Sequence, residues 1–277
     1  MSTQTTTTYE KYAGNPPPVN YERYFVPGIG LPSARPLLEA VGLSKGEAVL
    51  DVACGTGVAS RLAAEIVGPT GSVSGADVNP GMLQMAGQVP SSGASIDWSH
   101  ADAEDLPMPD GAFDAVICSL GLQFFEDKVG ALKEARRVLK PGGRVILGTP
   151  GPTPALFQAV DEALTRYAGP EASKFVQAVF SVHEPEKVRD MLETAGFEDV
   201  AIESGPLELR TPPPADFFWQ YINSTPLAAA AAKMDPETRA LLERDVVKGC
   251  QPFADGAGLL MKVNLLVAKG HRDAEDR

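Results

Sequence analysis

The run Val49–Ser60, VLDVACGTGVAS, holds the residues best suited to grip a ligand. An apolar stretch carries an acid, Asp51, and Gly55-Thr56-Gly57 then leads into a helical pattern. Glycines in such a turn let a ligand approach bare backbone, and the helix N-terminus behind them presents unpaired amides. Two chemistries use this arrangement: hydride transfer from a dinucleotide, and methyl transfer from a nucleoside that carries a sulfonium.

The spacing bears on the choice. The dinucleotide fingerprint is G-x-G-x-x-G/A, and the third position here is Ser60. Asp51 stands four residues before Gly55. A carboxylate there would repel a pyrophosphate but would suit an ammonium group, such as the one S-adenosylmethionine carries next to its cationic sulfur. The alternative role for Asp51 is to cap the turn by accepting from its amides. Asp77 follows Gly57 by twenty residues, the offset of an acid that bonds ribose hydroxyls. Both the dinucleotide and S-adenosylmethionine contain that ribose, and a plain turn acid is the other reading. Asp102 could accept from an adenine amino group, with the Ala103 amide facing a ring nitrogen.

Bases are scarce. Of three histidines, His271 lies in a charged tail and His100 just precedes the adenine pair. His183, in Phe180-Ser181-Val182-His183-Glu184, is a candidate for acid/base work or for an N-cap or surface role. In-line methyl displacement needs the acceptor held near the methyl carbon and water kept out. A positioned acid or base adds about 10²–10⁴-fold, so an acceptor that is already nucleophilic can do without one.

The elements that must position these residues alternate. Strands are expected at Ala48–Val52, Ser72–Asp77, Ser95–His100, Phe113–Ser119 and Arg144–Thr149, with helices at Ala34–Val41, Val58–Val67, Val129–Leu139 and from Asn79-Pro80 to about Gly87. Pro141-Gly142-Gly143 reads as a tight stop between helix and strand. This alternation predicts an α/β fold with a doubly wound parallel sheet. Further on, Leu156–Tyr167 and Glu186–Ala195 read as helices, and Val200–Arg210 and Leu259–Lys269 as two late strands around a helical insert, Ala215–Lys248. Residues 1–20, rich in Thr, Pro and Gly, are expected to be mobile.

Composition narrows the function. The 277 residues carry a formal net charge of −12 with no basic run, which disfavours nucleic-acid substrates. No segment approaches a membrane span, and the N-terminus shows no apolar signal region. Three cysteines, Cys54, Cys118 and Cys250, lie far apart, without metal-ligand spacing. They fit a reducing compartment, so a cytoplasmic location is expected. Oligomeric state is not legible.

Five motifs in order, from the glycine turn through Asp77, His100-Ala101-Asp102-Ala103-Glu104, Asp110-Gly111-Ala112-Phe113-Asp114 and Leu139-Lys140-Pro141-Gly142-Gly143, closely resemble the class I S-adenosylmethionine-dependent methyltransferases over about Tyr21 to Pro150. Gly121-Leu122-Gln123-Phe124-Phe125 resembles the small-molecule enzymes of quinone biosynthesis and natural-product tailoring. The resemblance implies a Rossmann-like sheet of seven strands in order 3-2-1-4-5-7-6 with the last antiparallel. It implies one domain over 1–277: a cap at 1–44, a cofactor core at 45–150, and substrate-side helices with the last two strands at 151–277. S-adenosylmethionine would leave as S-adenosylhomocysteine. Ala53, Cys54, Gly55 and Gly57 match positions that hold its methionine part, although the family often has Gly where Ala53 stands. Asp77 matches the ribose acid, Asn79 and Met82 the flanking residues, Asp102 and Ala103 the adenine pair, and Ser119 and Leu120 the sulfonium end.

Ligands bind at the carboxyl ends of strands in such sheets, so Asp114, at an amino end, is read as structural. Gln123 lies on the functional edge, where it either orients the acceptor or caps the next helix. Tyr21, Tyr24 and Phe25, the region Phe157–Phe180, and Phe217, Phe218, Trp219 and Tyr221 are candidates for an aromatic cover. Such a cover would favour a flat or apolar small-molecule acceptor, although the Phe217–Trp219 cluster also reads as core. The acceptor atom, O, N or C, is not encoded. The competing readings are an NAD(P)-dependent oxidoreductase and a non-methylating protein that keeps the cofactor as a structural element.

Overall fold

The computed structural model describes residues 7–276. In chain order the elements begin with α1 (Thr8–Tyr12), α2 (Pro17–Asn20), a π-helical segment Tyr21–Gly30, α3 (Leu31–Val41), β1 (Ala48–Val52), α4 (Val58–Val67), β2 (Ser72–Asp77), α5 (Pro80–Ala86) and β3 (Ile96–His100). Then come β4 (Phe113–Ser119), a 3-10 turn Leu122–Phe124, α6 (Lys128–Val138), β5 (Leu139–Pro150), α7 (Ala155–Ala168), α8 (Pro170–Val179) and α9 (Pro185–Thr194). The chain ends with β6 (Glu198–Thr211), α10 (Pro214–Asn223), α11 (Ala228–Lys233), α12 (Pro236–Cys250), a 3-10 turn Gln251–Phe253, β7 (Ala254–Asp255) and β8 (Gly258–His271).

The chain divides into two compact units. One comprises Gly30–Pro152, Phe180–Leu207 and the described part of Asn264–Arg277; the other comprises the described part of Met1–Ile29, with Thr153–Val179 and Glu208–Val263. The strand order is β3-β2-β1-β4-β5-β8-β6, with β7 paired to β8 alone. The order matches the expected one once the two-residue β7, too short to announce itself in sequence, is counted. β1 pairs in parallel with β2 and β4, and β8 runs antiparallel to β5.

The first unit buries this sheet on both faces. Along β4, Val116 and Cys118 meet α6 and α9 through Leu132, Val138 and Leu192, while Ala115 and Ile117 meet α3 and α4 through Leu37, Ala59 and Ala63. That is why β4 reads as a continuous apolar run rather than an alternating one.

One expectation is corrected. Pro141-Gly142-Gly143 does not separate helix from strand. β5 begins at Leu139, opposite Phe113, and resumes pairing at Arg144 opposite Ala115, so the residues between form an irregularity within the strand. Gly142, at φ 75°, donates to the Arg272 carbonyl, and the Arg272 amide donates back to Gly143. In the N-terminal stretch, expected to be mobile, Thr7 caps α1, and Tyr12 and Asn20 are buried. Residues 1–6 lie outside the described part.

The second unit has its own core. Trp219 is 0% exposed and donates from Nε1 to Glu243 (2.6 Å), with Tyr9 edge-on at 4.9 Å. Lys11 and Tyr12 both bond Asp216, and Asn20 donates to the Tyr12 and Asn223 carbonyls. Phe217, Phe218 and Trp219 are thereby packing residues of this unit rather than an exposed aromatic wall.

Candidate functional site

The site residues on β1 to β4 converge at the carboxyl ends of these strands, at the point where the chain crosses from β2-β1 to β4. After β1 the backbone turns sharply. Ala53 sits at φ 56°, in the left-handed region that a Cβ disfavours, and Gly57 follows at φ 86° as the entry to α4. The Gly57 amide donates to Cys54, and the Cys54 amide donates to Ala76 of β2.

Asp51 is buried beneath this turn. Its Oδ2 accepts from Ser60 Oγ at 2.6 Å, tethering the first turn of α4, while Oδ1 has no partner. Burial pushes its carboxyl up to about 7, against the pull of the Ser60 bonds. Thr56 Oγ1 is likewise buried without a partner.

Asp77 ends β2 and binds backbone: Oδ2 accepts from the Gly55 amide (2.7 Å) and Oδ1 from the Asn79 amide (2.8 Å). Burial raises its carboxyl too. A carboxylate has about four acceptor positions, so one bond per oxygen leaves capacity for hydroxyl donors. Asn79 caps α5 by accepting from the Gly81 and Met82 amides. Val78, between the two polar residues, is 66% exposed, unusual for a large apolar side chain in the middle of a site. After β3, Asp102 is exposed and accepts from the Glu104 amide, and Ala103 is buried. His100 engages the Val78 carbonyl (2.9 Å), which makes it a turn residue.

The loop after β4 closes against the glycine turn. A Cβ on Gly121 would lie 2.7 Å from the Ala53 Cβ. Ser119 ends the strand, and Leu120 sits at φ 57° with its amide donating to Gly148. Gln123 is buried; its Nε2 donates to the Leu120 carbonyl at 2.8 Å and its Oε1 has no partner. A carbonyl can only accept, so the amide nitrogen must face Leu120 and the oxygen is the atom left over. Gln123 does not cap the next helix: Asp127 does, accepting from the Gly130 amide. At the end of β5, Thr149 Oγ1 is also buried and unpartnered.

His183 and Tyr21 each have partners of their own. His183 lies one residue before the α9 N-cap, with Nδ1 engaged by the Phe180 carbonyl (2.7 Å). Tyr21 belongs to the other unit and stacks on Phe25 at 4.4 Å. Sequence reading missed Trp98, Val78 and Thr149, which lie within or beside ordinary strand patterns. The small residue Gly75, facing Trp98 across β2-β3, was the one available hint.

A sheet of this order with an antiparallel β8 beside β5, and polar residues gathered at the carboxyl ends of β1, β2 and β4, defines the class I methyltransferase architecture. The comparisons agree. The ubiE/COQ5 methyltransferase family matches residues 35–205. A demethylmenaquinone methyltransferase of Staphylococcus aureus is 34% identical over 180 residues, covering 61% of this chain and 75% of that protein. Among solved structures, the phosphoethanolamine N-methyltransferase 2 of Haemonchus contortus, in complex with phosphomonomethylethanolamine and S-adenosylhomocysteine, shares the fold at 19% identity. Its TM-score is 0.59, over 96% of this chain and 58% of that one. The YcgJ protein of Bacillus subtilis shares it at 19% identity and a TM-score of 0.54, over 87% of this chain and 98% of that one.

The chain belongs to the ubiE/COQ5 methyltransferase family. It is an S-adenosylmethionine-dependent enzyme that methylates a small molecule, and the oxidoreductase alternative has no support. Among the described residues, no helix is long and apolar enough to cross a membrane.

Proposed function

We propose that the carboxyl ends of β1, β2 and β4 hold S-adenosylmethionine with its ammonium group facing Asp51 and its methionine part along Ala53, Cys54, Gly55 and Gly57. In this reading Asp77 receives the ribose, Asn79 and Met82 flank it, Asp102 and Ala103 meet the adenine, and Ser119 and Leu120 border the sulfonium end. One observation carries the fit: the buried, unpartnered Oδ1 of Asp51, on a carboxyl that burial, against the Ser60 bonds, raises to about 7. An ammonium group supplies the missing partner and a reason to stay ionised. Val78, exposed beside Asp77, gains an apolar cover when a nucleoside lies over it.

When bound, the donor supplies a methyl group whose bonding electrons stay with sulfur, leaving S-adenosylhomocysteine. The chain's part is to bind, orient and exclude water. The acceptor we propose is a quinol-type ring, flat and bearing hydroxyls, in keeping with the demethylmenaquinone methyltransferase relative. Gln123 Oε1 presents an acceptor to such a hydroxyl; its amide is already held in place by Leu120. His183 and Tyr21 need not act as bases when the ring enters as its phenolate, whose hydroxyl proton is already in solvent. A cytoplasmic location is supported by Cys54, Cys118 and Cys250, all free thiols.

Calorimetry tests the donor site. Wild-type protein is expected to bind S-adenosylhomocysteine and to leave NADH unbound; the reverse would overturn the reading. Methyl transfer from labelled S-adenosylmethionine into a demethylated naphthoquinol tests the acceptor class, and transfer to small amines alone would refute it.

A further inference from the structure

Trp98, in the middle of β3, is the least expected neighbour of the glycine turn. It pairs in register with Gly75 of β2, and its indole lies over that glycine. A Cβ on Gly75 would fall 2.5 Å from both Cε3 and Cζ3 of the indole and 3.1 Å from Cys54 Sγ. A Cβ on Gly57 would overlap Cη2 and stand 3.0 Å from Cζ3. The same ring therefore occupies the side-chain space of two glycines, one in the sheet and one in the turn.

Each glycine answers a different demand. Gly75 is not in the left-handed region, so its lack of a side chain is explained by the ring lying down on the strand. Gly57 needs its freedom for φ 86° as well, but the ring also fills the volume into which the turn would otherwise relax. The turn is thus fixed at two points: Asp77 holds the Gly55 amide by a hydrogen bond, and the far edge of the indole backs Gly57 by contact.

We infer that Trp98 is a positioning residue for the amino-acid part of the methyl donor, acting through Gly57 without touching the ligand. This rests on the proposal that the glycine turn carries the methionine part. Backbone that must meet a ligand within a fraction of an ångström gains its precision from a rigid support behind it, and a fused aromatic ring is a stiff one. The replacement that isolates the effect is Trp98→Phe. It keeps an aromatic ring on β3 and removes the outer ring that backs Gly57.

The test compares two ligands. S-adenosylhomocysteine carries the amino-acid part, and 5′-methylthioadenosine lacks it. By calorimetry, Trp98→Phe is expected to weaken S-adenosylhomocysteine about tenfold and to leave 5′-methylthioadenosine within about twofold. A merely structural role would move both together or neither, and either result overturns the inference. Failure of the wild-type protein to bind S-adenosylhomocysteine would instead overturn the donor-site proposal beneath it. Should Trp98→Phe not fold, wild-type protein labelled with 5-fluorotryptophan gives two fluorine resonances, one per tryptophan. S-adenosylhomocysteine is expected to shift the one that persists in Trp219→Phe, and 5′-methylthioadenosine to shift it less. An unmoved Trp98 resonance, or equal shifts from both ligands, refutes the role.

Discussion

The two ends of the parallel strands β1, β2, β4 and β5 are built to opposite electrostatic rules. At the amino end the charges are paired. Arg144 grips both oxygens of Glu47 and donates to the Val41 and Gly42 carbonyls; Lys140 bonds both oxygens of Asp114, which also accepts from the Ala48 amide. Burial works against Glu47 and Asp114, yet these partners hold both carboxyls below their usual range. At the carboxyl end, burial raises Asp51 and Asp77, and Asp51, Thr56, Gln123 and Thr149 each keep a buried polar atom unpartnered. Unsatisfied buried groups weaken a fold. Their concentration at one end marks where stability gives way to binding.

The largest effect that could break this contrast is at Asp51. Asp51→Asn is expected to weaken S-adenosylhomocysteine about 100-fold, the loss of a charged bond worth about 2–3 kcal/mol. The same change should make the ligand-free protein more stable at pH 8. A carboxyl raised from 3.8 to about 7 favours folding while protonated, and loses that contribution as pH climbs through this window. Wild-type affinity should therefore rise with pH up to about 7 and then level off, and the variant should show a flat profile. A destabilised Asp51→Asn would mean that the two ends follow the same rule.

Arg144→Ala probes the opposite end. It strands Glu47, 19% exposed, and frees two carbonyls, so denaturant unfolding should show a loss of about 2–3 kcal/mol with unchanged S-adenosylhomocysteine binding. The amino-end carboxyls are lowered, so their contribution should fade as pH falls below about 4, the reverse of Asp51. Gln123→Leu sharpens the contrast within the carboxyl end. The KM for a demethylated naphthoquinol is expected to rise about tenfold while S-adenosylhomocysteine binding holds. The smallest effect is expected from Ala53→Gly, which removes a left-handed alanine and should raise unfolding stability by roughly 1 kcal/mol.

What the sequence disclosed follows from what periodicity and turn chemistry encode. β1, β2 and β4 and helix α4 fall at their expected bounds: β1 and β4 are largely apolar runs, β2 ends on the acid Asp77, and α4 lies between Gly57 and Gly68. The glycine turn and its two acids were legible for the same reason. Trp98 was not, because its role depends on which strands become neighbours, and that pairing is a long-range event. The Pro141–Gly143 segment misled because its turn residues serve a bulge that Arg272 completes from the far end of the chain. Gln123 kept two readings until Asp127 was seen to cap α6.

That closing contribution from Arg272 has a consequence for how the enzyme is made. Beyond the backbone pair with Gly142 and Gly143, its guanidinium donates to the Arg136, Arg137 and Leu139 carbonyls, where α6 runs into β5. β8 itself fills the side of β5 away from β4. During synthesis β5 emerges long before β8, so a growing chain carries a bare strand edge and an open helix end until β8 and Arg272 have left the ribosome. Exposed edges of this kind recruit other strands. Chains halted before Asn264 are expected to collect as aggregates or on chaperones, in pulse-labelled lysates, even though the whole glycine turn has by then been made.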